Sequence, residues 1–322
     1  MAADKNSDKK LDALFVFDET EDSVILRDLG QPVCRSCFGF IDHKKVPEKD
    51  ARKKAGCYLH PIYGVHQEVL TDNAPRDHYH HHGAFWTWPH VMIHESDGTI
   101  KDYDLWSNKT PIHQFFVKWL EISSSADTAV LAVENGWYIN DVELDDHFRV
   151  VKGEKIMKET VRITTGPKQK VQGILSRFID FEFGWTPVSK PISLRGAENK
   201  SYGGFSVRFK PHGQKKLDTV ITTPVGGSQG DADLLETPLP WADFTSRFAG
   251  DLSQSGATII VPKTHPDYPP TWMTRYYGAM CVGWPGIKDK TFAPGKEFRL
   301  AYRLWIHEGP VTQKQIEKVV AN

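Results

Sequence analysis

Between Cys57 and Trp88 the chain reads CYLHPIYGVHQEVLTDNAPRDHYHHHGAFWTW. Eight of its fourteen histidines, His60, His66, His78, His80, His81, His82, His90 and His94, fall in or just beyond this stretch. Imidazole is the side chain whose ordinary pKa lets it exchange a proton near neutrality, and it is the commonest metal ligand. A cluster this dense beside Phe85, Trp86 and Trp88 predicts chemistry. Asp72-Asn73-Ala74-Pro75 reads as a turn and Gly83 as a break, so a polar loop is expected to enter an aromatic-lined strand. If the cluster is a strand end, His78, His80 and His82 share one face and Tyr79 and His81 the other, so two or three rings converge. His80 and His81 are the candidates for a proton donor or a substrate-orienting group, with His60 and His78 as substrate contacts. A metal reading sets Zn, Fe or Cu on alternate histidines with Asp77, and a structural reading makes the cluster a hydrogen-bonded knot that fixes a long loop.

Further candidates lie downstream. His265 sits in Thr264-His265-Pro266-Asp267-Tyr268-Pro269-Pro270, where three prolines lower the entropy of holding a polar side chain in place. Arg275 offers a bidentate fork for a sugar carboxylate, a sulfate or a hydroxyl pair, with Tyr277 close by as a further substrate contact. Asp180 and Glu182 stand two apart on a strand whose other face carries Ile179, Phe181 and Phe183. Their Cα atoms would be about 6.6 Å apart on one face, so the two carboxylates could form a glycosidase pair or a base and a metal ligand, although the same alternation describes any half-exposed strand. Among ten tryptophans, Trp86 and Trp272 are the candidate platforms for sugar C–H faces, the others being assigned to the core.

The elements that must position these residues read as strands. Ala13 to Phe17, Ser23 to Leu26, Phe115 to Leu120, Ala129 to Val133, Ile156 to Thr164, Leu175 to Phe183, Gly204 to Phe209 and Ala257 to Val261 are short β-like runs, and Asn135-Gly136 predicts a hairpin before Trp137. In Phe298 to His307, Phe298, Leu300, Tyr302, Leu304 and Ile306 fall on one face and Arg299, Arg303 and His307 on the other. The one convincing helix is C-terminal, with Thr312 and Gln315 as a capping box and Ile316, Val319 and Val320 as an apolar stripe. Many short strands with Gly and Pro punctuation imply an all-β sandwich or barrel. We expect residues 1–12 to be a disordered polar leader and 13–322 one large domain, a split near Gly226 to Gly230 being the alternative.

Composition narrows the partners. A formal net charge of -1 lacks the basic footprint of a nucleic-acid binder or a polybasic membrane face. No apolar run approaches the roughly 20 residues of a spanning helix, so a soluble chain without membrane insertion is expected. The compartment stays open, periplasmic or secreted placement following if a signal peptide preceded residue 1. Cys34 and Cys37 form a lone C-x-x-C, but on a strand side chains three apart point to opposite faces, so all four cysteines are expected to be inert thiols.

Tyr58-Leu59-His60-Pro61-Ile62-Tyr63-Gly64 with Asp77-His78-Tyr79-His80-His81-His82-Gly83 resembles the paired LHPLYxP and DHPHHRG signatures of the bacterial PmoA-like proteins, a family of unknown function that carries the label methane oxygenase. Phe178 to Phe183 resembles its central strand, and Thr264 to Trp272 with Arg275, Tyr277 and Gly278 resembles its DHPxNPRxPTxWxxRxYGL segment. Tyr79 stands where that family usually has proline, His82 where it usually has arginine, and Pro269 where arginine is common. The resemblance runs from about residue 30 to about 308 and implies a galactose-mutarotase-like β-supersandwich, a fold whose members mostly bind or process sugars. The expected function is a carbohydrate-active enzyme of the sugar epimerase or mutarotase, glycoside hydrolase or lyase type, using histidine and carboxylate acid-base chemistry in an open groove. Its substrate would be a small molecule or an oligosaccharide. The alternatives are a non-catalytic carbohydrate-binding protein and a metal-dependent enzyme with histidine ligands. No cofactor motif is present, since Gly203-Gly204 and Gly226-Gly227 precede no phosphate-binding helix.

Overall fold

Alternation becomes sheet in the computed structural model, which describes residues 15–147, 149–212, 214–229, 233–249 and 253–321. The polar leader 1–12 and part of the Gly226 to Gly230 segment lie outside the described residues. Among the described residues the strands form a nine-stranded and a ten-stranded sheet, with a four-stranded and a two-stranded sheet beside them. Every strand pair is antiparallel, and the expected all-β sandwich with a short C-terminal helix is the observed class.

The centre of the nine-stranded sheet runs Gln31–Cys37, Tyr58–Ile62, Ala84–Thr87, Gly204–Arg208, Ala279–Gly283 and Thr271–Arg275. The ten-stranded sheet is centred on Val150–Thr165, Ile174–Pro187, Phe298–Glu308 and Gln254–Ile260. Their inner faces meet in one apolar cluster: Trp86 packs on Phe183 with ring centroids 4.9 Å apart, Phe205 on Tyr302 at 4.9 Å and Phe209 on Phe244 at 4.6 Å. Burying each such ring stabilises the fold by roughly 1.5–3 kcal/mol, and this is why one face of each strand is apolar.

One inner-face residue breaks the pattern. Glu159 is fully buried, and its carboxylate accepts five hydrogen bonds: from the indoles of Trp86, Trp137 and Trp185 at 2.8–2.9 Å, from Asn135 at 2.8 Å and from Gln114 at 3.0 Å. The donors come from both large sheets, so a single carboxylate ties them together.

Two local expectations fail for reasons visible in the packing. Asn135-Gly136 makes no hairpin; Ala129–Leu144 runs straight through it, because Asn135 is committed to Glu159 and a Cβ at Gly136 would lie 2.5 Å from the Tyr138 ring. In Phe298–Glu308 the alternation holds, yet Trp305 and His307 on the outward face are fully buried. The C-terminal helix Gln313–Val320, started by the expected Thr312/Gln315 capping box, covers that face with Ile316 and Val319. His307 is held under it by Asp243 at 2.9 Å. No helix among the described residues is long and apolar enough to cross a membrane.

Candidate functional site

The histidine stretch is a turn, not a strand end. His78 N–H donates to Pro75 O, His81 N–H donates to His78 O and Ala74 N–H donates to His81 O, all at 2.9–3.0 Å. This coil folds His78, His80 and His81 together, with ring centroids 4.6 Å apart for His78 and His81 and 4.7 Å for His80 and His81. His82 leaves on the other side. The turn enters Ala84–Thr87 through Gly83, where a Cβ would sit 2.0 Å from Leu59 O, so only glycine fits.

Arg208, at the end of the neighbouring strand, pins the turn. It is fully buried; its guanidinium donates to Asp77 at 2.8 Å and to Nδ1 of His81 at 3.3 Å, and it lies over the Tyr277 ring at 4.6 Å. His78 stacks on the same Tyr277. A guanidinium only donates, so Nδ1 of His81 is the acceptor and its proton is on Nε2. Burial opposes the charge of Asp77, but the hydrogen bond and charge of Arg208 prevail and hold its carboxyl at about 2.

His80, His81 and His82 are held neutral by their surroundings. Burial, and then the positive charges of Arg52, Lys109 and Arg208 among its neighbours, push His80 down to about 3. Burial, reinforced by His80 and Arg208, lowers His81 well below its usual value. His82 is lowered likewise, by burial and by His43. A histidine acid needs the imidazolium that this environment disfavours, and the Nε2–H that Arg208 leaves on His81 is a hydrogen-bond donor.

Beneath the turn lies a narrow cavity of about 20 Å³, lined by Tyr58, His80, His82, Phe85, Thr87 and Trp106 among others. That is room for about one water-sized group. His82 Nδ1 bonds Asn73 Oδ1 at 2.6 Å, and Asn73 in turn donates to the Tyr58 hydroxyl, which makes His82 Nε2 a lone pair. His82 Nε2, His80 Nδ1 and Thr87 Oγ1 are all buried without a hydrogen-bond partner, and all three residues line this cavity. The cavity shares Phe40, Asn108 and His113 with an open basin of about 520 Å³, a volume within the ~300–1,000 Å³ of small-molecule sites.

The other sequence candidates fall elsewhere. His60 is half-buried with Nδ1 bonded to Thr71 Oγ1 at 3.0 Å, and burial pushes it down to about 3. Trp86 and Trp272 are core residues and no platforms: each is at most 2% exposed, with its indole N–H spent on Glu159 and on Leu239 O respectively. Asp180 and Glu182 do face outward together, but Arg303 clamps Asp180 with bonds of 2.6 and 2.9 Å. Glu182 lines a separate groove of about 600 Å³ on the ten-stranded sheet, beside Arg162, Arg299 and His265. His265 is buried, held down to about 4 by burial, and 3.5 Å from the Tyr302 hydroxyl. Arg275 is bound to Asp233 at 3.0 Å and Tyr277 lies under Arg208. The expected histidine and carboxylate constellation is therefore divided between two sheets. Among the described residues no three His, Cys, Asp or Glu side chains are arranged to hold a metal ion. The four cysteines are buried free thiols, and burial pushes Cys34 and Cys281 up to about 12.

Sequence reasoning passed over Arg208, Thr87 and the lone pair of His82. The signal for Arg208 was a charged residue closing the small and apolar run Gly204-Phe205-Ser206-Val207.

Fold and site together define an all-β antiparallel sandwich with a histidine-lined cavity at its nine-stranded sheet. The chain belongs to the family described as "Family of unknown function (DUF6807)", which it matches over residues 24–321. That description, and not the PmoA-like label, is the one the match carries. No curated protein matches the chain. Among solved structures, the galactose mutarotase related enzyme from Lactobacillus acidophilus is similar at 11% identity and a TM-score of 0.39, over 92% of this chain and 100% of that one. A GH36 alpha-galactosidase from Geobacillus stearothermophilus, in complex with raffinose, is similar at 11% identity and a TM-score of 0.39, over 92% of this chain and 41% of that one.

Proposed function

We propose that the protein binds a carbohydrate in the basin beside His80 and acts on it by proton transfer through neutral imidazole. The supporting observation is the set of three buried, unpartnered polar atoms, His80 Nδ1, His82 Nε2 and Thr87 Oγ1, around one cavity. Buried polar groups are almost always hydrogen-bonded, and a cavity of this size suits one hydroxyl. Two imidazoles and a hydroxyl present both donors and acceptors, as a hydroxyl-rich ligand needs. Phe40 and His113 on the basin wall offer ring faces to sugar C–H groups. His82 Nε2 is the fixed acceptor for the ligand's hydroxyl proton, and His80 is the more accessible base.

A non-catalytic sugar binder is the second reading, supported by the low pKa of His80, which weakens it as a base. Calorimetry and mutarotation or glycoside-cleavage assays on a panel of mono- and oligosaccharides decide between them. Catalysis requires that His80→Ala lower turnover by about a hundredfold or more while affinity stays within about tenfold. Binding without turnover in the wild-type protein selects the second reading. Absence of any carbohydrate binding sinks both.

A further inference from the structure

The basin has a small excess of positive charge. Its walls carry Glu48, Asp50, Lys53, Lys54 and Lys109. Both carboxylates are already engaged: Arg52 grips Asp50 through two bonds of 2.6 and 2.7 Å, and Lys53 lies 3.1 Å from Glu48 and 3.1 Å from Asp42. Lys54 and Lys109 are exposed and, among the described residues, form no ion pair. The cations of the lip thus outnumber the anions available to them, although the whole chain carries a net charge of -1.

Location adds to this. Lys109 lines the basin next to Asn108, one of the three residues that the basin shares with the histidine-lined cavity. A ligand entering past it meets free ammonium groups first and neutral imidazoles second.

Resting on the carbohydrate reading above, we propose that the ligand is an acidic carbohydrate. Its anionic group, a carboxylate or a sulfate, lies on Lys54 and Lys109 while its ring hydroxyls reach His80 and His113. Unpaired lysines at a concave mouth steer and hold an anion without the desolvation cost of a buried pair, and the neutral histidines leave the hydroxyl end uncharged.

The test is titration calorimetry of the full chain at about 20 mM salt, where surface charges are little screened. The probes are glucose, glucuronate and glucose 6-sulfate, and the variants are wild type and Lys54→Glu/Lys109→Glu. We expect glucuronate to bind about tenfold or more tighter than glucose, and the variant to remove that preference while leaving glucose within about twofold. Glucose 6-sulfate binding as tightly as glucuronate assigns the site to negative charge in general; weaker binding assigns it to a carboxylate. Equal affinity for glucose and glucuronate, or an equal loss of both in the variant, overturns the acidic-ligand inference alone. No binding of any probe overturns the carbohydrate reading with it.

Discussion

The guanidinium of Arg208 reaches Nδ1 of His81 at 3.3 Å, across 127 positions of sequence, and so decides which nitrogen of that ring carries the proton. Neutral histidine exchanges its two tautomers freely in water, whereas a fixed donor at one nitrogen selects one of them. In Arg208→Met we expect the His81 signal in two-bond nitrogen–proton NMR spectra to shift from the pure Nε2–H form to a mixture. The unsatisfied Nδ1 should also cost about 1–3 kcal/mol of stability. An unchanged spectrum would show that Arg208 does not set the tautomer.

Glu159 holds both sheets through five donors, three of them indoles. Glu159→Gln keeps the shape but removes the charge and turns one acceptor into a donor that faces other donors. We expect a loss of about 3 kcal/mol or more in urea unfolding, accompanied by a change in tryptophan emission. A loss under about 1 kcal/mol would mean that apolar packing alone sets the inter-sheet contact.

Acid should weaken the fold well before its carboxylates titrate. Burial holds His43 at about 4 and His60 and His80 at about 3, against about 6.5 in an unfolded chain. Between those values the unfolded chain binds more protons, so stability is full above about pH 6.5 and falls as pH drops toward 4. For fully packed His43 the effect is of the order of 3 kcal/mol. Asp50 and Asp77, held at about 2, contribute above about pH 4 and lose that contribution only below it. Thermal unfolding from pH 7.5 to 4.5 should show a falling Tm, with a shallower slope in His43→Asn; a flat profile would contradict the neutral histidines.

Glu182 lies on the ten-stranded sheet and His80 in the turn that leads into the nine-stranded one, and their pockets share no lining residue. Glu182→Gln should therefore leave carbohydrate affinity and turnover within about twofold. A loss comparable to that of His80→Ala would move the chemistry to the ten-stranded sheet.

Elemental mass spectrometry on untagged protein checks the donor geometry, since three or four ligands must converge at about 2.0–2.3 Å to hold zinc. We expect well under one equivalent of transition metal. Near one equivalent, lost in His80→Ala, would replace the hydrogen-bonding role of the histidines with a coordination sphere.

Strand periodicity and the Thr312/Gln315 capping box were legible because they depend on residues a few positions apart, and the density of histidines between His60 and His94 marked the stretch that lines the candidate cavity. The same alternation put Asp180 and Glu182 outward and Ile179, Phe181 and Phe183 inward, as the structure has them. Local pattern could not show that Arg208 would close on His81, that Asn108 and Lys109 would border the basin, or that Trp86 would spend its indole on Glu159 rather than on a ligand. Those outcomes follow from strand order: Ala84–Thr87 pairs with Gly204–Arg208, which pairs with Ala279–Gly283. Strand order is fixed by the burial of whole sheet faces against one another, a sum over many residues that no short stretch encodes. Charge states followed the same division. The sequence supplied imidazoles able to titrate near neutrality, and burial under the folded turn is what made them neutral.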